Sequence, residues 1–401
     1  MSRFLLIAYT TYIHDGRVKR HAEALAERGD HVDVICLADE QQPAMFAGVN
    51  LIGLEMPRYR GASRSAYLSS YLRFFAMASK RALQLSLKQR YDVVIVCTMP
   101  DAVVVTAILP KLLGSKVVLD IHDTMPELYR DKFGGARGAV GGKLLLWEER
   151  LSAWWADRVL AVHDLHKERL EQAGIPAAKI RVVTNTPDPR IFVPHYTRLA
   201  PRNGFTVACH GTLTQRMGLD LAIQAIAILH DRYPQLRLIV IGNGDYAAAA
   251  RALVAQLRLC REITFHNAVP VEQLPEMLAA AEIGLVPNRP SSATHLMLPV
   301  KMLDYATLGI PVIASRLRTV EHYFGDRAVE FFEPGNAEDL ARAIERLYLD
   351  PALRAELVAN GRNAIERLSW DAQRAEYIKV IDSLLSQPSQ SRTFRLKQER
   401  L

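Results

Sequence analysis

Short, continuously apolar runs alternate with amphipathic stretches along this chain, and the alternation occurs twice. In the first half Phe4–Tyr9, Val32–Leu37, Val93–Cys97, Val117–Ile121, Arg158–Val162 and Val182–Thr184 read as strands. Between them Val18–Arg28, Ala102–Leu113, Gly142–Ala156 and Leu165–Ala173 carry helical periodicity. Strands that are apolar at successive positions, separated by helices, predict a parallel sheet covered on both faces. The segment Asn185 to Asn203 holds Pro187, Pro189, Pro194 and Pro201 and has no period, so it reads as a connector. The pattern restarts with strands Phe205–Cys209, Leu236–Ile241, Ile263–Phe265, Ile283–Val286, Val312–Ala314 and Val329–Phe332. Helical patterns fill the gaps, notably Leu219–His230, Tyr246–Leu257 and Val300–Leu308. The expected architecture is therefore α/β: two doubly wound domains, residues 1–190 and 204–370, joined by a linker at 191–203. A closing helix and a basic tail occupy 371–401. Two such domains would face a central cleft at the carboxyl ends of their strands, where ligands bind in this architecture.

Composition narrows the class. With 401 residues, 49% of them hydrophobic, the chain has material for two cores. No stretch approaches the ~18–20 apolar residues of a membrane-spanning helix, and Phe4–Tyr9 reads as a first strand, not a signal peptide. Cys36, Cys97, Cys209 and Cys260 are scattered, which predicts reduced thiols and a cytoplasmic location. The net charge of +7 is localised. Between Met56 and Tyr91 stand eight Lys or Arg and no Asp or Glu, interleaved with Tyr67, Tyr71, Phe74 and Phe75, and the tail from Gln387 is also basic. A basic helix bearing aromatics predicts docking on an anionic membrane surface, with the protein peripheral on the inner face. No reader motif supports nucleic acid as the partner.

Candidate chemistry lies where strands give way to helices. Asp15-Gly16-Arg17 follows the first strand, where a helix N-terminus with Arg17 nearby would receive an anion, or Asp15 would simply cap the helix. His122 and Asp123, with Glu127, follow an inner strand and are titratable groups on the cleft side. In the second half, His210-Gly211-Thr212-Leu213-Thr214-Gln215-Arg216-Met217-Gly218 places glycines, hydroxyls and one arginine between a strand and a helix. A guanidinium there matches the oxygens of a diphosphate. Gly242-Asn243-Gly244 is a second glycine turn. If Val300 starts a helix, its N–H groups point at the preceding loop, Lys301 adds charge, and Asp304 accepts ribose hydroxyl protons.

Taken together, these segments resemble the GT-B glycosyltransferases of family 4, retaining enzymes built from two Rossmann-like domains that use nucleotide sugars. The second half carries the resemblance in the His210–Gly218 loop, the Gly242–Asp245 turn, and Leu298-Pro-Val-Lys-Met-Leu-Asp-Tyr running to Gly309-Ile-Pro-Val-Ile. The first half resembles the acceptor domain of bacterial polysaccharide members, in Asp15-Gly-Arg-Val, Met99-Pro-Asp, Pro110-Lys-Leu-Leu-Gly-Ser-Lys-Val and Ile121-His-Asp-Thr-Met-Pro-Glu-Leu. The resemblance implies a donor site at Gly16, Gly211, Thr212, Gly242, Gly244, Leu298, Pro299 and Asp304. It implies catalytic roles for Arg216, Lys301 and His122, and an acceptor side at Asp123 and Glu127. Three departures stand out: Leu296 where many members have a first glutamate, Asp304 in place of the second, and Met217 and Thr212 at usually basic loop positions.

The implied reaction moves a hexosyl unit from a nucleotide diphosphate sugar to a lipid-linked or oligosaccharide acceptor in cell-surface polysaccharide synthesis. No Asp-x-Asp pair occurs, so no metal and no further cofactor is expected. The rivals are a UDP-sugar epimerase of the same fold and a non-catalytic subunit of a polysaccharide assembly complex.

Overall fold

The computed structural model describes residues 1–39, 43–57, 59, 64–193 and 204–386. Two compact units result, Met1–Asn185 with Asp371–Leu401, and Thr186–Trp370. The division falls at Asn185, a few residues before the expected boundary at 190. Asn185 is tied back to the first helix by Arg20 Nη2, which donates to its Oδ1 at 2.6 Å. Most of the expected linker (194–203) and the tail from Gln387 lie outside the described residues.

The first unit holds strands β1 (Arg3–Ala8), β2 (His31–Leu37), β3 (Met45–Phe46), β4 (Val49–Leu54), β5 (Val93–Cys97), β6 (Lys116–Asp120), β7 (Arg158–Ala161) and β8 (Ile180–Val182). They pair in the order β3-β4-β2-β1-β5-β6-β7-β8, parallel except for the β3–β4 hairpin. Successive residues of β1 serve two cores, as a fully covered strand must. Leu5 and Ile7 join one core with Phe74, Val103 and Ala153, while Phe4 and Leu6 join the other with Val18, Ala22 and Tyr377.

Helices α1 (Gly16–Glu27), α2 (Arg64–Lys88), α3 (Ile108–Leu112), α4 (Met125–Phe133), α5 (Gly135–Trp155) and α6 (Asp164–Gln172) cover this sheet. The β3–β4 hairpin was not among the expected strands. After β6, Pro126 sits in the first turn of α4, where its missing N–H costs nothing.

The second unit holds β9 (Phe205–His210), β10 (Leu236–Ile241), β11 (Ile263–His266), β12 (Ile283–Val286), β13 (Val312–Ser315) and β14 (Glu330–Phe332) in the order β11-β10-β9-β12-β13-β14, all parallel. Its helices are α7 (Leu219–Leu229), α8 (Ala247–Gln256), α9 (Leu274–Leu278), α10 (Val300–Leu308), α11 (Arg318–Ala328), α12 (Ala337–Leu349) and α13 (Pro351–Ile365). Helix α14 (Trp370–Leu385) belongs almost wholly to the first unit. There Tyr377, Val380, Ile381 and Leu384 are core residues, and Gln373 Oε1 accepts from the Thr184 N–H at 2.6 Å. Strand order reverses at β1/β5 in one unit and at β9/β12 in the other, and each reversal opens a crevice at the strand ends.

Candidate active site in two crevices

The crevice of the first unit is built from charge. The turn after β1 was expected either to receive an anion beside Arg17 or to be a plain loop capped by Asp15. The structure turns Arg17 inward, where it is 3% exposed. Its Nη2 donates to Asp120 Oδ1 at 2.6 Å, its Nε to Oδ2 at 3.0 Å, and its Nη1 to the Val183 carbonyl at 2.7 Å. Asp15 caps the helix by accepting from the Val18 N–H at 3.1 Å. Gly16 is exposed, and a Cβ there would meet only the Arg20 guanidinium at 3.1 Å.

Two histidines complete the cluster. His122 Nε2 lies 3.2 Å and His21 Nδ1 3.3 Å from Asp120 Oδ2. Burial pushes Asp120 up, but the Arg17 guanidinium and the two histidines outweigh it and hold the carboxyl well below its usual range. Burial depresses His122, yet the Asp120 charge and hydrogen bond prevail and raise it. His21 is fully buried and also feels Arg17, which brings it down to about 4, so it is neutral at pH 7. Asp120 therefore orients His122 and favours its protonated form.

His122 and Asp123 line a cavity of about 230 Å³ with Tyr9, Thr10, Tyr71 and Cys97. Ligand atoms of Cys97, Asp120 and His122 lie within 4.8 Å of one another. Burial and Asp120 keep the Cys97 thiol protonated, and Arg17 already neutralises Asp120, so the group suits a proton better than a cation. Glu127, expected on the acceptor side, is instead buried in a bidentate pair with Arg169, with Nε–Oε1 at 3.0 Å and Nη2–Oε2 at 2.9 Å. Arg169 also pairs with buried Glu149. That network ties α4 to α5 and α6 and leaves Glu127 no open oxygen pair for an acceptor.

The crevice of the second unit is built from backbone. Gly211 and Thr212 are exposed just past β9. Gly242 has φ 150°, and a Cβ there would lie 1.9 Å from the Gly211 carbonyl; one at Gly244 would lie 2.0 Å from that of Leu213. Gly218 has φ 69°, and its Cβ would lie 1.7 Å from the Pro287 carbonyl. The loops after β9, β10 and β12 thus interlock at distances only glycine allows. Arg216 lies in a short 3-10 turn between them, exposed, with its carbonyl accepting from the Arg289 N–H at 2.8 Å.

Helix α10 starts directly after buried Pro299 and half-buried Leu298, so its first N–H groups have no acceptor within the helix. Half-buried Lys301 sits in this first turn, and its charge partly offsets the burial that raises the Cys209 thiol at the end of β9. Asp304 is 7% exposed, and its Oδ2 lies 3.1 Å from His210 Nε2. His210 in turn meets the Tyr305 ring edge-on at 4.8 Å, while Tyr305 donates to the Ala208 carbonyl at 3.0 Å. The His210 partner of Asp304 was not anticipated; no short-range pattern links residues 94 positions apart.

Two family models match the chain: a glycosyl transferase 4-like domain over residues 16–186 and glycosyl transferases group 1 over residues 197–364. Among curated proteins it is 25% identical over 237 residues to the GDP-mannose-dependent alpha-(1-6)-phosphatidylinositol monomannoside mannosyltransferase of Mycolicibacterium smegmatis, covering 56% of this chain and 62% of that one. The chain spans 39–62% of the length of the first curated relatives it matches. In fold it is similar to sucrose-phosphate synthase from Thermosynechococcus elongatus, at TM-score 0.77 and 19% identity, covering 96% of this chain and 100% of that one. It is likewise similar to Anabaena HepE in complex with UDP-glucose, at TM-score 0.71 and 17% identity, covering 96% and 100%. With both halves matched in order and two parallel sheets of this design, the chain belongs to the group 1 glycosyltransferases of GT-B fold.

Proposed function

We propose that this protein transfers a hexosyl unit, with retention, from a UDP- or GDP-sugar to a lipid-linked or oligosaccharide acceptor in cell-surface polysaccharide synthesis. The observation that carries this reading is the second unit's crevice, where interlocked glycine loops, the α10 N-terminus, Lys301 and the Asp304–His210 pair stand at one edge of the sheet. A nucleoside diphosphate needs this combination: close backbone approach for phosphate, positive charge, and a carboxylate for the ribose. Two similar proteins support the donor class, one dependent on GDP-mannose and one bound to UDP-glucose. The first of these names a phosphatidylinositol mannoside acceptor, which supports a lipid-linked one here.

In the proposed step the bond from the sugar C1 to the diphosphate oxygen breaks, and a bond from C1 to the acceptor oxygen forms on the same face. The acceptor's hydroxyl proton passes to the departing phosphate oxygen. Arg216, Lys301 and the α10 N–H groups stabilise the charge that builds on the leaving group. The reading requires no metal. His122, oriented by Asp120 through Nε2, offers its other ring nitrogen to the acceptor in the first unit's cavity.

A thermal-shift panel of UDP-, GDP- and ADP-sugars, followed by turnover on lipid extracts with and without EDTA, tests this. One nucleotide class raises the melting temperature, and EDTA leaves turnover unchanged. Arg216→Ala and Lys301→Ala each lower kcat by about 10²–10³. Turnover unaffected by both substitutions sinks the catalytic assignment, and release of free sugar without acceptor supports the epimerase instead.

A further inference from the structure

Helix α5 turns its largest apolar side chains the wrong way for a helix that serves only to cover a sheet. Its inward face carries Gly138, Gly142, Glu149, Ser152 and Ala153. Its outward face carries Val140, Leu144, Trp147, Leu151 and Trp154, which are 70%, 65%, 61%, 48% and 69% exposed. The spacing alternates four and three residues, so the five side chains form one straight stripe. A run of large, open apolar side chains such as this marks an interaction surface more often than scattered single ones do.

The neighbouring helices extend the stripe into a face. The turn Asp101–Ala107 and α3 pack between α2 and α5 on the same side of the sheet, and Leu109 and Leu112 are exposed on α3. Leu68 and Leu72 are exposed on α2. By contrast, the exposed large apolar residues of the second unit, such as Ile228, Val271 and Leu349, are scattered singly.

The exposed charges of α5 and α2 have one sign. Arg137, Lys143 and Arg150 are exposed on α5, and Arg73 and Lys80 on α2. Of the two carboxylates of α5, Glu149 is buried against Arg169 and Glu148 is half-buried, accepting from Ser152. A second copy docking through this stripe would bring cations against cations. An anionic bilayer satisfies both features: tryptophans at the depth of the headgroups, leucines below, and cations against lipid phosphate.

We infer that the α5 stripe, flanked by α3 and α2, is the surface by which this protein lies on an anionic membrane. The inference deepens the proposed function and rests on its lipid-linked acceptor. Helix α2 carries both Tyr71, which lines the first unit's cavity, and Leu72, which is exposed on the docked face. The inference also relocates the docking expected at residues 56–91. Phe74 is core and Tyr71 and Phe75 pack against the core, while Tyr67 packs on Tyr59 and Tyr71, so that region contributes leucines and cations to the face and α5 contributes the tryptophans. Arg58 and Arg60 lie outside the described residues.

Flotation of the full chain with vesicles of equimolar phosphatidylcholine and phosphatidylglycerol, against phosphatidylcholine alone, tests the inference. Wild type floats with the anionic vesicles and is released by salt. Trp147→Ser combined with Trp154→Ser lowers binding at least tenfold, and Arg137→Gln with Lys143→Gln lowers it by about tenfold or more. Both variants keep the wild-type melting temperature. Wild-type flotation that the tryptophan variant leaves unchanged overturns the inference. So does a dimer in sedimentation that this variant dissociates, with no vesicle binding, since the stripe then takes a second copy. Nucleotide-sugar thermal shifts on the same samples separate the two readings. Shifts without flotation end the docking inference alone, and flotation without any shift ends the donor assignment alone.

Discussion

The two units solve one topological problem with opposite materials. Each is a parallel sheet whose strand order reverses, and each opens a crevice at the reversal. The first unit fills the floor of its crevice with charge: Arg17, His21 and His122 share the one buried carboxylate of Asp120. The second brings three loops so close that Gly218, Gly242 and Gly244 touch carbonyls where any side chain would collide. A floor of side chains can be protonated, reoriented or lost by one substitution. A floor of backbone offers fixed N–H donors at constant geometry, which suits a phosphate that must be held the same way in every turnover.

The largest expected break of this contrast is Asp120→Asn. It leaves the Arg17 guanidinium buried without its counter-charge, and should cost about 3–5 kcal/mol in denaturant unfolding while nucleotide-induced stabilisation survives. Loss of nucleotide binding in that variant would mean that the two crevices are not separable. Gly218→Ala is the converse: it should cost about 3–4 kcal/mol and abolish the nucleotide-induced shift, because a Cβ cannot sit 1.7 Å from the Pro287 carbonyl. An unchanged shift would show that the interlock is dispensable.

Acid should then discriminate between the floors. The folded value of His21, about 4, lies below its ordinary 6.5, so the unfolded chain takes up the proton first. Stability falls as pH drops from 6.5 towards 4, by up to about 3 kcal/mol from this group. Unfolding of His21→Gln followed across that window should show a shallower pH dependence; a slope equal to wild type refutes the assignment. The smallest effect is expected from Asp304→Ala, which removes the proposed ribose acceptor and should weaken nucleotide affinity by about tenfold in calorimetry with little change in stability.

Much of this was legible in the chain itself. The apolar runs located β1, β2, β5, β6, β9, β10, β12 and β13 to within a residue or two, because a strand buried on both faces needs no partner to declare itself. The β3–β4 hairpin escaped because Val49-Asn-Leu-Ile-Gly-Leu mixes polar residues and a glycine into its run. Helix α11 escaped because Gly325, at φ 62°, breaks its period. Cys36, Cys97 and Cys209 are buried, and Cys260 is exposed. Among the described residues no helix is long and apolar enough to cross a membrane.

The site was legible in kind and not in pairing. Gly211, Gly218, Gly242 and Gly244 could be named from the sequence, because turns between strands and helices demand glycine. That Arg17 faces Asp120 across 103 positions, that Glu127 is held by Arg169, and that Asp304 meets His210 could not. Local patterns encode which element a residue joins and which side of it is apolar. By itself, then, the sequence determined two doubly wound sheets, their order, and the loops where chemistry gathers. Only the tertiary structure decided which charges neutralise one another and which are left for a ligand. It also decided that the large apolar face of α5 points outward, because burial depends on which elements come to lie above a given face, and nothing in a helix's own sequence records that.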